Sequence, residues 1–309
     1  MGDRGKAVVP AEYVGVRADR AVANLSGLSR ATVRRLMEQG AIIRCGETVD
    51  RATRLEEGDV IEYPIPVDRQ PLIPEEIPFG VAFLSEEVIV VDKPAGLVVH
   101  PGAGHATGTL ANGLIRRFPE LMELGEENRW GLVHRLDRDT SGLLLVARTA
   151  ARHNFLQAEL KARRIGRTYV TVVQGTLEAA TGTIDAPIGR DPGRPTRMAV
   201  RHDGRPARTH YRRLAEWSDH SLVEVVLETG RTHQIRVHMA SIGNGVVGDP
   251  TYGPHKAGRA DPGRIWLHAR RLEFPLGDGS DQVVESAIPD DLVASLERLG
   301  EPSAGSIEG

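Results

Sequence analysis

Gly131-Leu132-Val133-His134-Arg135-Leu136-Asp137-Arg138-Asp139-Thr140-Ser141-Gly142-Leu143-Leu144-Leu145-Val146-Ala147 sets a run of charge directly against a run of apolar residues. The apolar run Leu143–Ala147, preceded by a glycine, reads as a strand buried on both faces. A charged loop that ends in such a strand is where a rigid scaffold presents a reactive group. Asp139, Thr140 and Ser141 suit a tight turn, because their side chains bond nearby backbone. Asp137 is then the candidate reactive carboxylate, although aspartates flanked by arginines are mostly ion pairs. Outward from this segment, Val88–Val91 is a strand that breaks at Lys93-Pro94-Ala95-Gly96. Residues 150–164 read as a helix with Phe155, Leu156 and Leu160 inward, and Thr168–Val173 and Leu222–Leu227 as strands. Ile235, Met239 and Ile242 fall at i, i+4 and i+7, which predicts a helix over 233–242 with Gly243 just past its end. Several strands lie close together with few intervening helices. The expected class is α+β with a mixed, mainly antiparallel sheet, preceded by a small α/β domain.

Five prolines between Pro64 and Pro78 forbid helix and interrupt strand ladders, so residues 67–78 read as a linker. It divides a small domain, 1–66, from a large one, 79–299, and 300–309 reads as a disordered tail. The small domain reads as two short helices and a small sheet. Ser29 is a candidate cap for a helix over about 30–39, and short strands follow at Ala41–Arg44 and Val60–Tyr63. Between Arg17 and Arg35 stand five arginines and one acid, Asp19. That is either a solvated helix face or a phosphate-binding one.

The 309 residues carry 39 Lys plus Arg against 42 Asp plus Glu, a net charge of −3. This excludes a uniformly basic binder but not a local patch. From Lys161 to Arg213 there are twelve basic residues and four acids, whereas Leu276 to the end holds one arginine and eight acids. The stretch Gly189–Arg213 places its arginines on extended loops, a candidate RNA cradle. A single cysteine, Cys45, leaves no intrachain disulfide and fits a reducing cytoplasm. No stretch approaches the roughly 18 apolar residues of a membrane span, so no membrane partner is expected.

The second charged segment is Thr229-Gly230-Arg231-Thr232-His233-Gln234-Ile235-Arg236-Val237-His238. Its two histidines are five apart, about 140° around a helix, where a helical zinc pair needs a spacing of four. No cysteine or intervening glutamate supports them, so no metal site is expected. There is no nucleophile elbow and no glycine-rich nucleotide loop, so no cofactor is expected either. What remains is an aspartate, several arginines and a strand tyrosine, Tyr169. On pattern alone that tyrosine reads as a core strand residue rather than a base contact.

Five segments, in order, resemble the RNA pseudouridine synthases of the RluA/RluD type that modify large-subunit ribosomal RNA. They are V-D-K-P-A-G-L-V-V-H-P at 91–101, H-R-L-D-x-x-T-S-G-L-L-L-V-A at 134–147 and R-x-Y-x-x-x-V-x-G at 167–175, then G-R-T-H-Q-I-R-V-H-M at 230–239 and G-D-P-x-Y-G at 248–253. The resemblance implies that Asp137 is catalytic, that Tyr169 lies against the target base, and that Arg236 pairs with the aspartate. It further implies that Ile235 packs the pocket and that Arg135 extrudes the nucleotide or holds its phosphate. Arg231 and His233 are further RNA-contact candidates, while His100, Lys93 and Asp249 read as turn or pocket-wall residues. Residues 14–63 resemble the small alpha-L RNA-binding domain of ribosomal protein S-four, which makes Arg17, Arg30 and Arg34 candidate RNA contacts. They depart from that pattern at Ala18 and at Arg44–Cys45, where leucine and an Asn-Gly turn are usual.

Pseudouridine formation breaks the N1–C1′ bond, turns the uracil and joins its C5 to C1′. Glycosidases use two carboxylates because water must also be activated. Here the detached base returns, so one carboxylate suffices. The expected protein is a monomeric cytoplasmic isomerase whose partner is large-subunit ribosomal RNA or a ribosomal precursor particle. A non-catalytic RNA-binding or assembly factor on the same scaffold, or a synthase acting on tRNA, is the alternative.

Overall fold

The computed structural model describes residues 4–28, 30–64, 72–102, 105–125, 129–194, 196–253 and 258–307. The chain divides into two compact units, Met1–Pro71 and Leu72–Gly309. No helix among the described residues is long and apolar enough to cross a membrane.

The first unit contains β1 (Arg4–Val8), α1 (Ala18–Ser26), α2 (Arg30–Glu38), β2 (Ile43–Arg44), β3 (Glu47–Thr48) and β4 (Val60–Pro64), with the antiparallel sheet order β1-β4-β2-β3. Ala18, Ala21 and Val22 of α1 meet Val33 and Met37 of α2 over Ile42, Leu55 and Ile61. Cys45 and Gly46 both take left-handed φ, 48° and 93°, so the β2–β3 hairpin keeps the turn that Asn-Gly forms more easily. The expected Ser29 cap lies outside the described residues.

The second unit contains β5 (Gly80–Leu84), β6 (Val88–Lys93), α3 (Leu110–Arg117), β7 (Ser141–Ala147), α4 (Ala150–Lys161), β8 (Gly166–Gln174), β9 (Thr181–Asp185), β10 (Ile188–Arg190), β11 (Met198–Val200) and β12 (Arg208–Glu216). These are followed by β13 (His220–Leu227), α5 (Gln234–Ser241), β14 (Leu267–Pro275), β15 (Asp281–Glu285), α6 (Asp290–Glu297) and β16 (Ala304–Gly305). The main sheet runs β16-β12-β13-β8-β14-β7-β6-β5, with β9 on β12 and β15 on β14. Every pairing is antiparallel except β7 with β14. Side-chain alternation splits β7 between two cores. Leu144 and Val146 join the core beneath α3 and α5, while Leu143, Leu145 and Ala147 pack with Leu156 of α4. A strand buried on both sides must be apolar throughout, which is why its sequence shows no alternation.

Two expectations about segment boundaries need correction. Residues 72–78 are docked rather than linking. Leu72 packs on the core, the Ile73 carbonyl accepts from Asn112, and the Glu75 carboxylate accepts from the Gly108 amide at 3.1 Å. Proline density rules out helix and ladder, but an extended segment still anchors through carbonyls and apolar side chains. Residues 67–71 of the expected linker lie outside the described residues. The expected disordered tail instead adds β16 to the edge of β12, pairing Glu216 with Ala304 and Ala215 with Gly305. Ser303 and Ser306 donate backbone bonds to Glu216 and Leu214, and Ile307 packs on the core beneath α6. An open sheet edge recruits backbone of almost any composition. Residues 308–309 of that tail lie outside the described residues.

Candidate active site

The loop that ends in β7 borders a cleft of about 810 Å³ in the second unit. Gly142 fixes the start of the strand. Its φ is +107°, and a Cβ there would stand 2.3 Å from the Ala269 carbonyl oxygen. Only glycine lets β7 approach β14 this closely. The other wall is residues 227–236, pinned by Gln234. Its side-chain oxygen accepts from the Thr229 hydroxyl and the Arg231 amide, and its Nε2 donates to the Arg208 carbonyl and to Thr209 Oγ1. His238, one turn further along α5, donates from Nε2 to the Ala186 carbonyl and accepts from Thr209 at Nδ1. Burial holds that imidazole below its ordinary pKa.

Asp137 and Arg236 meet across the cleft. Arg236 Nη1 donates to Asp137 Oδ2 at 3.0 Å, and the other carboxylate oxygen has no protein partner among the described residues. The Asp137 side chain is 18 % exposed, so it faces the cleft without standing in bulk solvent. The rest of the guanidinium is gripped by Asp249: Nε donates to Oδ2 at 2.7 Å and Nη2 to Oδ1 at 2.9 Å. Asp249 in turn accepts the amides of Thr251 and Tyr252. Burial opposes its ionisation, but the bonds from Arg236 and these amides hold it below the ordinary carboxylate range. Burial likewise weakens the Arg236 cation, and the two carboxylates more than restore it. Tyr252 stacks its ring under Arg236, with Cζ 5.0 Å from the ring centroid, and bonds His233 Nδ1 at 2.9 Å. Asp249, read from sequence as turn or wall, thus fixes the orientation of Arg236.

Tyr169 lines the cleft from β8, 5 % exposed, and burial raises its hydroxyl pKa. Ile235 lines the same cleft and is buried, and Arg135 stands exposed at its rim. Arg231 and His233 also line it, and Arg231 Nε donates to the Pro206 carbonyl. The structure therefore brings Asp137, Tyr169, Arg236, Arg135, Ile235, Arg231 and His233 to one cavity. Arg17, Arg30 and Arg34 belong to the first unit, where all three guanidinium groups converge on the buried Asp19 at 3.1, 3.1 and 3.4 Å. They stay about half exposed and lower its carboxyl to about 2, against the opposing effect of burial.

Lys93, read from sequence as a turn or wall residue, and Arg167, which the sequence did not single out, shape the loop and the cleft. Lys93 is buried and donates to the carbonyls of Pro94, Leu97 and Arg138 at 2.8–2.9 Å, tying β6 to the residue after Asp137. Burial lowers its ammonium to about 7. Arg167 lies two residues before Tyr169 on β8 and shares its face. Among the described residues, no group of three or more His, Cys, Asp or Glu is placed to hold a metal ion.

Around the cleft stand eight Lys and Arg and two carboxylates, Asp137 and Glu228. A cavity of that charge, with one carboxylate open to it and an aromatic wall, suits a polyanion whose base is turned inward. Residues 87–241 match the family model described as RNA pseudouridylate synthase. An uncharacterized RNA pseudouridine synthase of Chloroflexus aurantiacus is 46% identical, over 94% of this chain and 92% of the relative. The ribosomal large subunit pseudouridine synthase D of Xanthomonas campestris is 41% identical, over 98% and 95%. The solved structure of human RNA pseudouridylate synthase domain containing 1 superposes with a TM-score of 0.59 at 28% identity, covering 76% of this chain and 93% of its own. The chain belongs to the RNA pseudouridine synthase family, of the RluA/RluD type, whose members isomerise uridine to pseudouridine in RNA.

Proposed function

We propose that this protein isomerises specific uridines of large-subunit ribosomal RNA and that Asp137 is its catalytic carboxylate. The observation that carries the assignment is the carboxylate itself: one oxygen is anchored by Arg236, and the other opens into a cationic cleft. The target nucleotide leaves its stack to reach this depth. Arg135, two residues away on the same loop, stands where it can occupy the vacated space or hold a phosphate. Tyr169 offers its ring to the extruded uracil, and Ile235 closes the pocket behind it.

Asp137 acts at the sugar, either by attack at C1′, forming an ester bond that breaks as C5 bonds to C1′, or by removal of the C2′ proton, which returns to C2′ as that bond forms. The N1–C1′ bond breaks with its electron pair staying on the uracil. The base turns, C5 bonds to C1′, C5 loses its hydrogen, and N1 ends protonated. Nothing is oxidised and no external group is transferred, so the reaction asks for no cofactor. Arg236 aims the carboxylate through the charge-assisted bond from Nη1 to Oδ2. The first unit supplies a second RNA contact through Arg17, Arg30 and Arg34, whose three positive charges exceed the single charge of Asp19.

The ribosomal assignment follows the large-subunit synthases among the relatives. It is tested by presenting uracil-C5-tritiated large-subunit ribosomal RNA and, separately, tritiated tRNA. Tritium release to water from the ribosomal RNA alone supports the assignment. Release from tRNA alone refutes it in favour of a tRNA synthase. Binding without release from either would support the assembly-factor alternative.

A further inference from the structure

Of the eight cations around the cleft, Arg167 is placed unlike the rest. It is 6 % exposed, yet no carboxylate lies within 4 Å of its guanidinium among the described residues. Among the described residues its Nε has no hydrogen-bond partner, and its one hydrogen bond, Nη2 to the Leu227 carbonyl, is long at 3.4 Å. Neither acid of the cleft pairs with it among the described residues: Asp137 bonds Arg236 through one oxygen, and Glu228 pairs with His210, Arg163 and Arg208. Arg236, equally buried, is balanced by two carboxylates.

The fold nevertheless makes room for this cation. Gly230 lies against it so closely that a Cβ there would stand 2.7 Å from Arg167 Nη1. The guanidinium also helps keep His134 neutral: burial first, and then Arg167, push that imidazole down to about 3. A buried cation without a counter-charge is costly, and proteins discard such groups unless something pairs with them. Among the described residues no counter-charge touches the guanidinium, which leaves it open to one supplied from outside the chain.

We propose that Arg167 is an anion site inside the cleft, receiving an anionic oxygen of the RNA beside Tyr169. Two parts of the substrate carry that chemistry. One is a phosphodiester oxygen next to the extruded nucleotide. The other is the O2 or O4 oxygen of the departing uracil, which takes up the electron pair left on N1 when N1–C1′ breaks. In either case an Arg167 N–H donates a hydrogen bond and no proton is transferred. The inference rests on the cleft being the isomerisation site.

The test compares wild type with Arg167→Met in three measurements: single-turnover tritium release from C5-tritiated ribosomal RNA, RNA affinity across a salt series, and thermal midpoint with and without added inorganic phosphate. A site kept for a ligand predicts a variant that melts no lower than wild type, with a smaller phosphate-induced rise. A fall of at least about tenfold in rate at unchanged affinity assigns the uracil oxygen. A fall of about tenfold in affinity, with a salt slope shallower by about one, assigns a phosphate. Retention of both rate and affinity to within that margin overturns the proposal. If Arg167→Met does not fold, the same criterion is applied to Gly230→Ala, whose added methyl displaces the guanidinium without removing its charge. If wild type releases no tritium, the isomerisation reading fails, and the affinity and phosphate measurements still judge Arg167.

Discussion

Asp249→Asn tests how Arg236 is held. In wild type the Asp249 carboxylate accepts four hydrogen bonds, two from the guanidinium and two from the amides of Thr251 and Tyr252. An asparagine has one oxygen and one NH2. If the oxygen takes the Oδ1 place, it keeps both amides and Arg236 Nη2, and the NH2 faces Nε. If it takes the Oδ2 place, it keeps Nε, and the NH2 faces Nη2 and both amides. Either way donors confront donors in a buried site, and Arg236 loses one of its two counter-charges. Breaking a buried pair by removing one partner costs about 3–5 kcal/mol. Asp137 retains part of the compensation, so the lower end, about 3 kcal/mol, applies. For a unit of this size each kcal/mol moves the midpoint about 2–4 °C, which predicts a fall of about 6–12 °C. Arg236 would also swing, and a misplacement near 1 Å costs about a hundredfold in rate. Thermal unfolding and single-turnover tritium release read the two effects. A midpoint within about 2 °C of wild type and a rate within about threefold would refute the view that Asp249 orients Arg236.

Three further outcomes concern stability. Asp19 titrates near 2 in the folded unit against an ordinary 3.8. A depressed carboxyl stabilises above its unfolded value and loses that contribution as pH falls through the folded one. Acid unfolding of the first unit should therefore be steeper between about pH 4 and 2 in wild type than in Asp19→Asn, and equal steepness would contradict the arginine cluster. Lys93, lowered to about 7 from 10.5, behaves oppositely to a stabilised ammonium. The unfolded chain binds more protons between those values, so the stability of wild type relative to Lys93→Met should climb from pH 7 toward 10.5 in denaturant titrations. A flat difference would mean that the ammonium is not buried as described. Leu144→Ala, at a fully buried site of β7, should cost about 2–5 kcal/mol in denaturant unfolding.

The residues differ in how far their roles could be read from sequence. The loop and strand at 131–147 were legible because a charged turn against five apolar residues admits few structures. The helix over 233–242 followed from three apolar residues at helical spacing, and it forms as α5, Gln234–Ser241. The partnership of Asp249 with Arg236 was not legible. It joins two local elements thirteen residues apart through a geometry that no periodicity encodes. The three arginines of the first unit looked like a free positive face, yet each spends part of its charge on Asp19, a single acid that a count treats as one subtraction. Edge pairing escaped as well. The segment around Ala304 has the composition of a tail and is ordered by the ladder groups β12 offers, so its structure is a property of the partner. Arg167 stood inside a quoted motif, but its isolation is an absence of partners that only the packed cleft displays.

The central claim is that one carboxylate, Asp137, carries the isomerisation. Its most direct test is tritium release from C5-tritiated large-subunit ribosomal RNA by wild type and by Asp137→Asn, with RNA affinity measured in parallel. Catalysis by Asp137 predicts release by wild type, none by the variant, and affinities within a few-fold of each other. Release by a folded Asp137→Asn at the wild-type rate would contradict it.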